Sequence, residues 1–320
     1  MVDLMYATLG LVILLLAGDS LVKGAVNMSL RLGVPALIVS LTIVAFGTSA
    51  PELLIAIKAT LDNAPGIALG NVVGSNTANA LLVLGLPALM AGLHTGECDT
   101  RRTYVMMLLA SVVFIALCFV GPLTWWHGVI LLSGLAYLLT DALRTARAHR
   151  RACAAEAEDE DDLEDLEGAD PSMPVWKIVM FMLLGLIGLP LGADLLVDSS
   201  VNLARAYGIS ETVIGLTLVA VGTSLPELAT TVMAALRRQA DVALGNVIGS
   251  NMFNLLAIIG IATFVGDLAV PPEMLRYDLW VMLAASLILF PFVFRGWNIT
   301  KFWGVVLTLL YGGYVVSVLI

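Results

Sequence analysis

Two carboxylates lie where carboxylates are costly. Glu52 falls about 19 residues into one apolar stretch and Glu227 about 17 into another, each stretch long enough to cross a bilayer as a helix. An ionised side chain at that depth costs at least about 2.5 kcal/mol unless it faces protein, water or a bound cation. Oxygen donors accompany each acid at fixed spacing. Thr48 and Ser49 precede Glu52, and Thr223 and Ser224 precede Glu227, by four and three residues, which puts hydroxyls on the carboxylate's helical face. Pro51 and Pro226 lack a donor N–H and free carbonyls about one turn back, with those of Ala45 and Ala220 as candidates. Ser75 and Asn79 are four apart and share a face, as do Ser250 and Asn254. Every candidate ligand is therefore an oxygen. Such a set suits hard cations like calcium and sodium, and the missing His and Cys argue against zinc, copper or iron.

The donors come in pairs because the sequence is duplicated. An offset of 175 carries Asp19 onto Asp194 and Asn79 onto Asn254 without a gap, and 27 of 62 positions match between 18–79 and 193–254. Gly47-Thr48-Ser49-x-Pro51-Glu52 recurs as Gly222-Thr223-Ser224-x-Pro226-Glu227, and Gly74-Ser75-Asn76 with Asn79 recurs as Gly249-Ser250-Asn251 with Asn254. Asn71, Asn76, Asn246 and Asn251 recur too, but off the Ser-Asn face, where capping or packing explains them better than ligation. Asp19 and Asp194 could line an ion path or pair with polar neighbours.

The elements that must position these groups are membrane helices. With 59% hydrophobic and 13% charged residues, the chain has too little polar surface for a soluble domain. Ten apolar stretches lie near 4–30, 34–60, 67–92, 103–121, 123–143, 175–204, 210–236, 242–265, 279–294 and 302–320. The expected fold is an all-α membrane protein of ten transmembrane helices, formed by five-helix repeats at 1–150 and 175–320 around an acidic linker at 151–174. Five spans is an odd number, so the second repeat enters the membrane inverted, with the site near the midplane where interrupted helices meet. Starting the chain outside leaves twelve Lys and Arg at inner ends and only Lys58, Arg205 and Arg276 outside. Both termini are thus expected outside a cell membrane and the linker in the cytoplasm. The N-terminus, with no Lys or Arg before the apolar run, lacks the basic start of a secretory signal.

The doubled motifs resemble the two α-repeats of the calcium/cation antiporter superfamily, sodium/calcium exchangers included. That resemblance implies a ligand set of Thr48, Ser49, Glu52, Ser75, Asn79, Thr223, Ser224, Glu227, Ser250 and Asn254, with the carbonyls of Ala45 and Ala220. It implies exchange of Na+ for Ca2+ by alternating access, the first and sixth helices sliding past a rigid core, with no cofactor. Potassium-dependent relatives, and some microbial ones, carry an acid where this chain has Asn254, which argues against a need for potassium. The proton/calcium branch usually carries a different motif in place of Gly-Ser-x-x-x-Asn, which favours sodium over proton coupling. A proton-coupled calcium or other divalent-cation antiporter is the alternative.

Other readings fare worse. The small residues could serve close helix packing, a role compatible with ligation. An intramembrane enzyme lacks His-Glu-x-x-His, Gly-x-Ser-Gly with a partner His, and Gly-x-Gly-Asp. A channel fits the inverted repeat around a carboxylate pair less well than a carrier does. The ten acids from Glu156 to Asp170 lack EF-hand spacing and read as a solvated linker. Cys98, Cys118 and Cys153 show no paired spacing. Partners beyond the two ions and the lipid bilayer are not implied, neither nucleic acid nor an obligate protein.

Overall fold

A computed structural model of the protein describes residues 2–95, 98, 100–155, 170, 172–208 and 220–319, the side chains of 149–155, 220 and 319 excepted. Residues 156–169 and 171 of the linker expected at 151–174, and residues 210–219 of the stretch expected near 210–236, lie outside the described residues.

The described residues form helices and no strand, with only two isolated backbone bridges, Leu93 to Ile299 and Leu123 to Leu268. In chain order the main helices are α1 (Val2–Leu32), α2 (Ala36–Thr48), α3 (Ala50–Leu61), α4 (Pro65–Ala91), α5 (Arg101–Val120), α6 (Trp125–Ala155), α7 (Val175–Ala206), α8 (Leu225–Leu236), α9 (Ala240–Val265), α10 (Asp278–Phe294) and α11 (Lys301–Leu319), with short helical turns at Ala220–Gly222 and Pro272–Arg276. Seven are long and apolar enough to cross a membrane, and the bent pair α2–α3 makes an eighth. The protein is a multi-pass integral membrane protein. Two shorter apolar helices, α8 and α10, complete the bundle.

Burial identifies the centre. In the most apolar window of α9 89% of residues are buried and in that of α4 78%, against 17% for α11, so α4 and α9 form the core and α11 faces outward. Around them stand α2 and α3, which pack on α9 and α4 respectively, and α8, which packs on both. Outside this group α1 and α7 run along each other. Small residues permit that approach: a Cβ on Gly10 would stand 2.8 Å from the Gly192 carbonyl oxygen, and one on Gly192 would stand 3.0 Å from the Gly10 oxygen. The Arg237 Nε at the end of α8 donates to the Asp19 carboxylate of α1 at 2.5 Å, which answers the question of what Asp19 does in favour of pairing.

The duplicated sequence folds into duplicated local structure. After α3 the chain turns through Asn63 at φ 55°, and after α8 through Arg238 at φ 57°, 175 residues on. At these turns the Ala64 N–H donates to the Ala59 oxygen and the Gln239 N–H to the Ala234 oxygen, both at 2.8 Å, closing the helix ends with a left-handed cap.

Candidate cation site

The two acids are held by a helix break that Pro and Ser create together. At Ser49 the backbone leaves the helix (φ −85°, ψ 7°), and Ser224 does the same (φ −87°, ψ 6°). Proline follows two residues later, within the first two positions of the new helix, where its missing N–H costs nothing. Between α2 and α3 the axis bends by 43°. Glu52 and Glu227 stand in the first turns of α3 and α8, at the positive ends of those helices. Both are 1% exposed.

The structure brings several of the expected donors into contact across the two repeats. The Ser49 hydroxyl donates to Glu227 Oε1 at 3.1 Å, so the first repeat's hydroxyl touches the second repeat's acid. Thr48 Oγ1 lies 3.5 Å from Ser250 Oγ and shares its one proton between the Ala45 carbonyl oxygen and Asn246 Oδ1, each at 3.3 Å. Thr48, Ser49, Ser75, Asn79, Ser224, Ser250 and Asn254 are all buried. Thr223 is half-buried and lines a cavity, and Ala220 is described by its backbone alone, in the helical turn Ala220–Gly222.

Four asparagines join the halves. Asn79 Nδ2 donates to Asn251 Oδ1 at 3.1 Å, and Asn254 Nδ2 donates to Asn76 Oδ1 at 3.0 Å. Asn76 Nδ2 reaches the Asn251 carbonyl oxygen at 3.2 Å, and Asn251 Nδ2 reaches that of Asn76 at 3.4 Å. The pattern is reciprocal, as if related by a twofold axis between α4 and α9. Asn76 and Asn251 thus fix how Asn79 and Asn254 present their amides. Asn246 acts similarly, donating to Thr231 Oγ1 at 3.1 Å and the Glu227 carbonyl oxygen at 3.3 Å while accepting from Thr48 at 3.3 Å. The sequence reading offered capping or packing for these residues; the contacts are specific hydrogen bonds across and beside the α4–α9 interface. Their duplication was the signal, and that they orient the amides needs three-dimensional contacts to see.

What remains after these bonds is mostly oxygen, with the Asn71 Nδ2 donor beside Ser75 also unpartnered. Both Glu52 oxygens, Glu227 Oε2, Asn79 Oδ1, Asn254 Oδ1, Ser75 Oγ and Ser224 Oγ are buried without a hydrogen-bond partner. Buried polar atoms almost always find partners, so these seven oxygens, three of them from two carboxylates, are acceptors left for something outside the described residues to satisfy. Among the described residues no group of three or more His, Cys, Asp or Glu could hold a metal. The chemistry available is that of hydroxyls, amides and two acids, the donor set of hard ions.

The helices carrying Asn79 and Asn254 widen where the asparagines sit. Asn79–Val83 and Phe253–Ile258 are π-helical, as is Ser40–Val44 in α2, a local unwinding that concentrates at functional sites.

Among the described residues, fold and geometry define a helical integral membrane protein with two buried carboxylates among hydroxyls and amides. The profile of the family described as sodium/calcium exchanger protein matches residues 3–140 and 177–320, and the chain belongs to that family, one of ion antiporters rather than enzymes. It is 35% identical to the sodium/calcium exchanger MaX1 of Methanosarcina acetivorans, over 98% of both chains. It is 33% identical to the inner membrane protein YrbG of Escherichia coli, over 87% of this chain and 85% of that one. Its fold matches the sodium-calcium exchanger NCX_Mj soaked with 10 mM Na+ and zero Ca2+ at a TM-score of 0.80, with 31% identity and 98% of each chain covered.

Proposed function

We propose that this protein exchanges Na+ for Ca2+ across the cell membrane, at one midplane site built on Glu52 and Glu227. The observation that carries the reading is the cluster of buried, partnerless oxygens on α3, α4, α8 and α9. Its ligands are the side chains of Thr48, Ser49, Glu52, Ser75, Asn79, Thr223, Ser224, Glu227, Ser250 and Asn254, with the Ala45 and Ala220 carbonyls. Two relatives that cover nearly the whole chain are named for the same pair of ions, which supports the choice of cargo.

Counting α8 with the residues before it, and α10, as spans gives ten helices in two inverted repeats, 1–150 and 175–320, around a cytoplasmic linker at 151–174. Both termini then lie outside. In that frame the two access routes differ. Gly245 and Gly249 of α9 are buried under α2, where a Cβ on Gly249 would stand 2.5 Å from the Leu41 oxygen. Their counterparts in α4 are freer, Gly70 exposed and Gly74 half-buried, beside a cavity of about 430 Å³ that also reaches Ser75 and Thr223. This supports a state open outward and closed inward. Alternating access follows if α1 and α7 slide on the core to cover one route and uncover the other.

Two carboxylates balance one calcium ion, and three sodium ions would leave one positive charge in excess. Exchange at that ratio is electrogenic, worth about 2.3 kcal/mol per 100 mV. Uptake of radioactive calcium into proteoliposomes under imposed sodium, potassium and proton gradients tests the proposal. A sodium gradient is expected to drive opposing calcium flux. Flux driven by protons, with sodium inert, would establish the proton-coupled alternative instead.

A further inference from the structure

A third carboxylate faces the cavity that leads to the site. Asp278 opens α10 and shares the lining of the cavity of about 430 Å³ with Asn71, Ser75, Thr223, Tyr311 and Tyr314. Among the described residues it is the one acid on that lining. Its Oδ1 accepts a hydrogen bond from Tyr314 Oη at 3.3 Å, and among the described residues no Lys or Arg forms an ion pair with it. The phenol is itself held: Tyr314 stacks on Tyr277, centroids 6.5 Å apart, and Tyr277 Oη is hydrogen-bonded to Ser317 Oγ at 2.7 Å.

A second observation points to a ligand in the same space. Ser75, 3% exposed, lines this cavity and its Oγ has no partner. One cavity therefore joins an uncompensated carboxylate, fixed by a phenol, to a bare oxygen of the central cluster. Low-dielectric walls around one sign of charge focus the field and raise the local concentration of the opposite ion.

We infer that Asp278 is a staging residue for cations entering from this cavity. An arriving cation, still partly hydrated, pairs with the Asp278 carboxylate, accepts the Tyr314 oxygen as a further donor, and then passes to Ser75 and the glutamates. A divalent ion gains twice the Coulomb attraction of a monovalent one at that point, so Asp278 favours Ca2+ over Na+ on entry. The inference rests on the proposed exchange at Glu52 and Glu227.

The test is calcium uptake by the full-length protein in vesicles of defined orientation at low ionic strength, for wild type, Asp278→Asn, Asp278→Glu and, as a parallel control, Glu52→Gln. Asp278→Asn is expected to raise the calcium KM about 3- to 10-fold on one membrane face only, with maximal flux within about twofold. That difference should shrink when an inert organic-cation salt is added, and Asp278→Glu should restore the wild-type KM. If Asp278→Asn fails to fold, Asp278→Ser serves as the second neutral variant. An unchanged KM on both faces, or a loss of maximal flux with KM intact, overturns the staging role while Glu52→Gln remains inactive. Glu52→Gln with normal flux overturns the underlying site instead.

Discussion

Replacing Asn251 with alanine tests whether the asparagine network positions ligands or merely fills space. The side chain of Asn251 accepts from Asn79 Nδ2 at 3.1 Å and donates to the Asn76 carbonyl oxygen at 3.4 Å. Its removal orphans the buried Asn79 Nδ2, at about 1–3 kcal/mol of stability. The Asn76 oxygen suffers less, since it also receives the Asn79 backbone N–H. The larger consequence is functional: with no partner to fix the amide, Asn79 Oδ1 is no longer aimed. Loss of a group that orients a metal ligand typically lowers affinity about 10- to 100-fold. Asn251→Ala is therefore expected to raise the calcium KM by about tenfold or more in proteoliposome uptake, with a modest loss of melting temperature in detergent. Asn76→Ala should act the same way through Asn254, whose Nδ2 it accepts at 3.0 Å. The double variant should cost less than the two singles added, because they share one network. A folded Asn251→Ala protein with a KM within twofold of wild type would refute the positioning argument.

Three further outcomes are expected. Gly249→Ala places a Cβ 2.5 Å from the Leu41 oxygen and 2.6 Å from Ala45 Cβ, so α2 must shift, and a loss of at least about 1–3 kcal/mol should appear in thermal melts; an unchanged melt would contradict the packing. Cysteine introduced at Glu160 should react with an impermeant reagent from the cytoplasmic side only, because the basic residues from Arg144 to Arg151 precede it; labelling in intact cells would reverse the topology. Calcium flux driven by sodium should persist without potassium, since Asn254 offers a neutral amide, whereas Asn254→Asp should raise cation affinity and slow turnover; a wild-type flux that vanishes without potassium would show that another acid supplies charge.

Much of this was legible in the sequence because membrane burial is severe with charge. Glu52 and Glu227 stand out in apolar runs, and duplication separates them from chance. The Pro-Glu pairs also announced the breaks in the helices, since proline cannot donate. What was not legible depends on contacts across the halves. Asn76 and Asn251 look like packing residues until their amides are seen bonded across the α4–α9 interface. The π-helical turns at Asn79 and near Asn254 carry no local residue signal. Asp278 escaped notice because it lies in no repeat motif, and only the packing of α10 and α11 beside α4 places it near Ser75. Asp19 could not be assigned before its pairing with Arg237, 218 residues away, was visible.

The central claim is that one site, shared by both glutamates, takes calcium and sodium in competition. Equilibrium binding of radioactive calcium to the purified protein measures this directly, in wild type, Glu52→Gln and Glu227→Gln. Wild type is expected to bind calcium that sodium displaces, and each variant, having lost half the site's charge with its shape kept, should lose that binding while remaining folded. Calcium binding at wild-type affinity in either variant, or binding that sodium leaves untouched, would contradict the account.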